Sequence, residues 1–211
     1  DIQRVLTKGT YHFPTVPGHE FSGEVVGLGK DADPALSGKR FAVFPLLPCR
    51  ACEPCAMEEY AQCKHYDYYG SRRDGGFAEY LCVKTWNLVP IPDGVSFAEA
   101  AMCEPCAVAF HALGQFGVTP GETVLIFGAG TIGLLLAKVA KAQGAGKVIL
   151  ADIDPKKLDF AKKLGFTDVI DSSGDATEQV NALTSGRGAD FVIEGTGVSP
   201  ALENCLKCAD T

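Results

Sequence analysis

Thr123-Val-Leu-Ile-Phe127-Gly128-Ala-Gly130-Thr131-Ile132-Gly133 is the stretch on which the fold turns. Five apolar and β-favouring residues run into three glycines at G-x-G-x-x-G spacing. A helical pattern follows, with Leu134, Leu135, Leu136, Val139 and Ala140 on it. Lys147-Val-Ile-Leu-Ala151 then reads as a second strand and ends on Asp152, nineteen residues after Gly133. The glycine pattern alone is weak. Between a strand and a helix, with an acid closing the next strand, it specifies a dinucleotide-binding unit.

Each residue of that unit has a physical reason. Gly128 permits the tight turn, Gly130 lets a pyrophosphate approach the backbone, and Gly133 lets helix and strand pack closely. Thr131 and Ile132 complete the turn, where the helix N-terminus offers unpaired N–H groups to phosphate. Asp152 can accept both adenosine ribose hydroxyls, and its charge repels a 2′-phosphate, which favours NAD over NADP. Lys156 and Lys157 keep NADP open.

The βα rhythm continues to the end of the chain. Asp154-Pro155 opens a helix closed by Gly165, Asp168–Ile170 reads as a strand, and Asp175–Glu178 opens another helix. Phe191–Ile193 is a fourth strand, and Cys205 and Cys208 fall on a final helix as packing residues. A dinucleotide fold has six strands, so the expectation is a truncated sheet.

Upstream the signals change. Cys49-Arg-Ala-Cys52-Glu-Pro-Cys55 and Cys63 put four thiols in a short span that can surround one tetrahedral cation, the usual pattern of structural zinc. A disulfide cluster, an iron–sulfur cluster and a nucleic-acid-binding zinc module are the alternatives. Glu53, Glu58 and Glu59 argue against the last of these.

Around this lobe, Val25 and Val26, Phe41–Leu46, Phe77–Val83 and Trp86–Val89 read as short strands between glycine-rich turns, the last stopped by Pro90. His19-Glu20 lies on a loop feeding the first of them. His12 reads as a solvent-facing loop residue. Ser96-Phe-Ala-Glu99 is a capping box, and its helix breaks before Pro105. Glu104 at the break needs a cation or donors nearby, and a metal is one candidate. Cys103 and Cys106 beside it read as small buried side chains. Arg72 and Arg73 read either as a phosphate-binding pair of guanidinium forks or as surface charge.

Composition limits the function class. A formal charge of −7 over 211 residues argues against nucleic acid or an anionic membrane as the partner. No apolar run reaches bilayer-spanning length. Nine cysteines with no secretory pattern fit a reducing cytoplasm. The chain starts at Asp1 and stops after a helical stretch, and it reads as a fragment.

Together Gly18-His19-Glu20, the four-cysteine lobe, Glu104-Pro105 and the Gly128–Gly133 turn with Asp152 resemble the zinc-dependent medium-chain dehydrogenase/reductase family, along essentially the whole chain. The resemblance implies an α/β protein. A GroES-like β-rich domain over residues 1–110, with a zinc lobe at 47–65, would precede a Rossmann NAD-binding domain over 111–211. It implies catalytic zinc on His19 and Glu104, with Glu20 coordinating the ion or orienting its water, and a second zinc on Cys49, Cys52, Cys55 and Cys63. A further cysteine ligand is expected just before Asp1, so the piece alone is not expected to catalyse.

Pro45–Cys49 and Gly70–Tyr80 look most like the branch that oxidises a polyol phosphate, galactitol 1-phosphate, to tagatose 6-phosphate with NAD. In that case Arg72 and Arg73 would face the phosphate. Sorbitol, another polyol or threonine are the alternative substrates, and a non-catalytic zinc- and NAD-binding protein is the rival class. Dimers or tetramers are implied by the resemblance alone.

Overall fold

The computed structural model describes residues 11–115 and 117–210. Asp1 and the expectation attached to it lie outside these residues. The chain divides into two compact units, Asp1–Glu104 and Pro105–Thr211.

In the first unit β1 (Ser22–Glu24) pairs antiparallel with β2 (Arg40–Val43). The chain then forms β3 (Leu46–Leu47), the single-turn helix α1 (Glu53–Ala56) and β4 (Asp67–Tyr68), which pairs back onto β3. Next, β5 (Leu88–Pro90) closes the other edge of the first sheet, and α2 (Phe97–Ala101) follows. The core is small: Val43, Leu47 and Tyr69, with Phe21, Leu81, Val83 and Leu88 packed against it. Asn87 is fully buried and donates from its amide nitrogen to the carbonyls of Phe44, at 2.5 Å, and Leu46, at 2.7 Å. It thereby ties the ends of β2 and β3 together.

Three sequence expectations are corrected here. The first strand lies at Ser22–Glu24, just before Val25 and Val26, and Val26 is exposed. Phe77–Val83 is not a strand. Its leading amides are taken by a loop, with Gly76 N–H donating to Gly18 and Phe77 N–H to Pro17 at 2.8 and 3.0 Å. Only Leu81 and Val83 of that segment reach the core. Trp86 sits in a 3₁₀ turn, Thr85–Asn87, and the strand begins after it. Pro90 belongs to that strand without cost, because β5 is a sheet edge.

The second unit begins along α3 (Cys103–Gly114), with Pro105 buried in its first turn, where a missing N–H is harmless. It continues as β6 (Thr123–Phe127), α4 (Thr131–Ala142), β7 (Lys147–Asp152), α5 (Pro155–Lys163), β8 (Val169–Asp171), α6 (Thr177–Thr184), β9 (Phe191–Glu194) and α7 (Ser199–Cys208). The four strands are parallel in the order β8-β7-β6-β9, so the chain reverses direction across the sheet beside β6.

Alternation along the strands sends Val124, Ile126, Val148 and Leu150 to one face, against Leu136, Ala137 and Ala140 of α4 and Leu158 and Ala161 of α5. Leu125, Phe127, Ile149 and Ala151 go to the other, against Val180 of α6 and Cys205 and Cys208 of α7. Both faces are covered, which explains why β6 and β7 read as continuous apolar runs. Among the described residues no helix is long and apolar enough to cross a membrane.

The tightest contact of this unit is at Gly133. A Cβ there would stand 1.7 Å from the carbonyl oxygen of Gly128, which itself has φ +106°. Gly133→Ala should therefore destabilise the unit by about 2 kcal/mol, near the middle of the range for overpacking. Denaturant unfolding checks this, and an unchanged midpoint would mean the turn and helix do not approach as described.

Candidate metal centres and cofactor turn

The four thiols are gathered by local backbone geometry. Arg50 adopts φ 59°, Cys52 precedes the first turn of α1, Cys55 lies within it, and Cys63 ends the 3₁₀ turn Tyr60–Gln62. Cys49 N–H donates to Cys63 Sγ at 3.2 Å. Cys49 and Cys55 sulfurs are 4.0 Å apart, and Cys52 and Cys63 sulfurs 3.9 Å. A thiolate–zinc bond of about 2.3 Å implies sulfur–sulfur edges of roughly 3.8 Å in a tetrahedron. The spacing thus suits one ion and is nearly twice a disulfide bond.

Protonation within the group is divided. Backbone N–H groups of Lys64 and Cys55 pull the Cys52 thiol down to about 6, while burial pushes Cys55 up to about 12. A cation at the centre would replace those protons. The donor set leaves no position for a substrate.

A second group forms where the sequence is scattered. One nitrogen of His19 and one carboxylate oxygen each of Glu20 and Glu104 all lie within 4.8 Å of one another. His19 Nε2 and Glu20 Oε1 are 3.8 Å apart. Bonds of about 2.0–2.1 Å would need donor separations near 3.3 Å, a modest closure of flexible side chains. A mixed histidine–carboxylate set with room for another ligand is the open type of centre.

The His19 loop is held by backbone. Gly18 has φ +101°, and a Cβ on Gly70 or Gly75 would come within 2.3 or 2.1 Å of its carbonyl oxygen. Gly75 N–H donates to Val16, and Val16 N–H to Asp74 Oδ1, at 2.7 and 2.9 Å. Glu104 is placed in the first turn of α3, just past the break at Met102 that ends α2, whose own start is fixed by the Ser96–Glu99 capping box.

The Tyr68 hydroxyl donates to Glu104 Oε1 at 3.1 Å, and its ring centroid lies 5.9 Å from that of His19. Sequence reasoning gives Tyr68 no role. It sits in an aromatic run with no motif, and the pairing of β4 with β3 and the turn that follows orient it. Cys103 is exposed and Cys106 half-buried, which corrects the reading of both as buried packing residues. His12 is exposed, whereas Cys205 and Cys208 are buried.

Arg72 and Arg73 have different partners. Arg73 Nε donates to Asp67 Oδ2 at 2.6 Å, its Nη2 reaches the same oxygen, and the Tyr69 ring lies 5.6 Å away. Arg72 lies instead against Tyr66 and Tyr11, 4.1 and 4.3 Å from their ring centroids.

In the second unit Gly130 precedes α4 with φ −80°, and an added Cβ would meet no atom within 4 Å. The space a side chain would fill is open above a helix N-terminus that no side chain caps, which suits a pyrophosphate. Asp152 is buried at the end of β7. Its Oδ2 accepts from Ala129 N–H at 2.8 Å and its Oδ1 from Asp154 N–H at 2.9 Å, with Lys157 Nζ at 3.4 Å. Burial opposes its charge, yet these partners hold its carboxyl below the usual range. Oδ1 keeps a lone pair for a ribose hydroxyl, and Oδ2 can take a second in place of the long Lys157 contact.

The family model for the alcohol dehydrogenase GroES-like domain matches residues 1–93, and that for zinc-binding dehydrogenase matches residues 131–211. Galactitol 1-phosphate 5-dehydrogenase of Escherichia coli is 38% identical over 210 residues, covering 99% of this chain and 61% of that protein. Sorbitol dehydrogenase of Bacillus subtilis is 36% identical over 195 residues, 92% of this chain and 55% of that protein. The crystal structure of galactitol-1-phosphate dehydrogenase from Escherichia coli has a TM-score of 0.89 at 37% identity, covering 100% of this chain and 61% of that one. This chain thus spans about three-fifths of the length of these relatives.

Two outcomes follow from the geometry. Cys52→Ser should cost one zinc per chain by elemental analysis and lower the melting temperature by several degrees or more. Gly130→Ala should leave the melting temperature unchanged but weaken NADH binding about tenfold or more in a fluorescence titration, because its Cβ enters the open space.

Proposed function

This chain belongs to the zinc-dependent medium-chain dehydrogenase family, and on that premise we propose that its protein oxidises a secondary hydroxyl of a polyol phosphate, passing the hydride to NAD. Galactitol 1-phosphate, giving tagatose 6-phosphate, is the substrate the reading favours. The observation that carries it is the convergence of His19, Glu20 and Glu104 in a chain that also has the dinucleotide turn. Zinc at that centre supplies Lewis acidity, lowering the pKa of an alcohol bound to it.

The residues have separate duties in this reading. His19 and Glu104 hold the ion, and Glu20 stands beside them as a further donor or as the acid that orients a water. Tyr68 fixes the carboxylate of Glu104. The four cysteines hold their lobe closed. Gly128, Gly130 and Gly133 with Thr131 and Ile132 shape the pyrophosphate turn. Asp152 accepts the adenosine ribose hydroxyls and disfavours a 2′-phosphate. Lys157, the nearest cation, is already engaged by that carboxylate.

The test is NAD reduction by the protein that carries this chain, with galactitol 1-phosphate, galactitol and sorbitol compared. Preference for the phosphate ester supports the proposal. Equal use of all three would point to a general polyol dehydrogenase, and no turnover to a non-catalytic zinc and NAD protein. His19→Ala should abolish turnover while leaving NADH affinity within about twofold. Asp152→Ser should raise the KM for NAD at least tenfold and narrow the preference over NADP. Because the Asp152 carboxyl is held below its usual value, the wild-type cofactor preference should stay flat above the usual carboxylate range and be lost as pH falls through the depressed value.

A further inference from the structure

Arg72 of the first unit is held by aromatic rings rather than by a carboxylate. Arg73 is neutralised by Asp67. No ion pair among the described residues involves Arg72; its Nη2 donates to the Tyr11 hydroxyl at 3.4 Å, and its Nε has no hydrogen-bond partner. A buried guanidinium N–H left without an acceptor calls for one. Its aromatic contacts restrict the side chain, so fewer conformations are lost when an anion binds in the plane of the fork.

The turn that carries Arg72 also carries the metal centre's neighbour. Tyr68 C=O accepts the N–H groups of Arg72 and Arg73 at 3.0 and 3.2 Å. The Tyr68 hydroxyl meanwhile rests on Glu104. Tyr66, against which Arg72 lies, meets Tyr68 edge-on with centroids 6.3 Å apart. A continuous set of contacts therefore runs from Arg72 through Tyr66 and Tyr68 to Glu104 and His19.

We propose that Arg72 alone, and not the Arg72–Arg73 pair, is the residue that selects substrates carrying a phosphate. Its guanidinium receives the phosphate oxygens while the hydroxyl end lies at His19 and Glu104. Arg73 is a positioning residue that fixes the turn through Asp67. This rests on the polyol-phosphate reading above and deepens it.

The test compares wild type, Arg72→Gln and Arg72→Lys, each with galactitol 1-phosphate and galactitol. Both steady-state turnover and equilibrium binding by calorimetry in the presence of NAD are read. Arg72→Gln should reduce the ratio of phosphate-ester to neutral-polyol affinity about 10- to 100-fold, as expected for loss of a charged hydrogen bond. The change should appear in KM more than in kcat. Arg72→Lys, which keeps the charge but not the fork, should recover part of that ratio.

Equal loss for both ligands would assign Arg72 to structure and overturn the proposal, as would an unchanged ratio. Should wild type bind the phosphate ester preferentially yet turn over neither compound, the dehydrogenase reading fails while the ratio in Arg72→Gln still decides the role of Arg72. Should wild type bind both equally, both the phosphate reading and this inference fall.

Discussion

The first unit depends on a contact made without side chains. Gly18 turns at positive φ, and the backbone of Gly70 and Gly75 rests on its carbonyl more closely than any Cβ would allow. Each glycine costs conformational entropy on folding, of order 0.5–1 kcal/mol against alanine in regular structure. What the cost obtains is position. The His19 loop and the turn after Tyr68 are held together, and Glu104 meets them through the hydrogen bond from Tyr68. The second unit repeats the device, with Gly133 lying against Gly128 so that a helix N-terminus opens onto clear space.

The two candidate metal centres differ in ways their surroundings explain. The cysteine lobe has little else to hold it. Its helix is one turn long, its strands have two residues each, and a single turn of helix does not stand alone in water. Four sulfurs at tetrahedral spacing make a closed centre there, suited to cross-linking. The histidine–carboxylate group sits on a loop and a helix start that are already anchored by backbone hydrogen bonds. It can remain open without loss to the fold.

The dinucleotide half was legible because its information is local and repeated. Strands buried on both faces must be apolar throughout, and the glycine spacing fixes the turn between strand and helix. The cysteine spacing was legible for the same reason. The β-rich half was less so. Phe77–Val83 is rich in strand-forming residues, but its leading amide and that of Gly76 serve the His19 loop, a tertiary demand that no residue pattern announces. Val25 and Val26 have strand propensity, yet the pairing register places the ladder at Ser22–Glu24. Tyr68 has no motif and becomes visible only when β4 aims it at Glu104. Arg72 and Arg73 look equivalent in sequence and differ only through Asp67 on one side and the tyrosine rings on the other.

The turn after Tyr68 also has an evolutionary consequence. Position 72 gives the fold its amide and a guanidinium laid on Tyr66 and Tyr11, whereas its neighbours give an ion pair to Asp67 or bare glycine backbone. A single codon change there leaves the glycine contacts, the Asp67 pair and the Glu104 hydrogen bond in place. Substitution at position 72 can therefore alter the charge beside Tyr66 while the His19, Glu20 and Glu104 group is inherited whole.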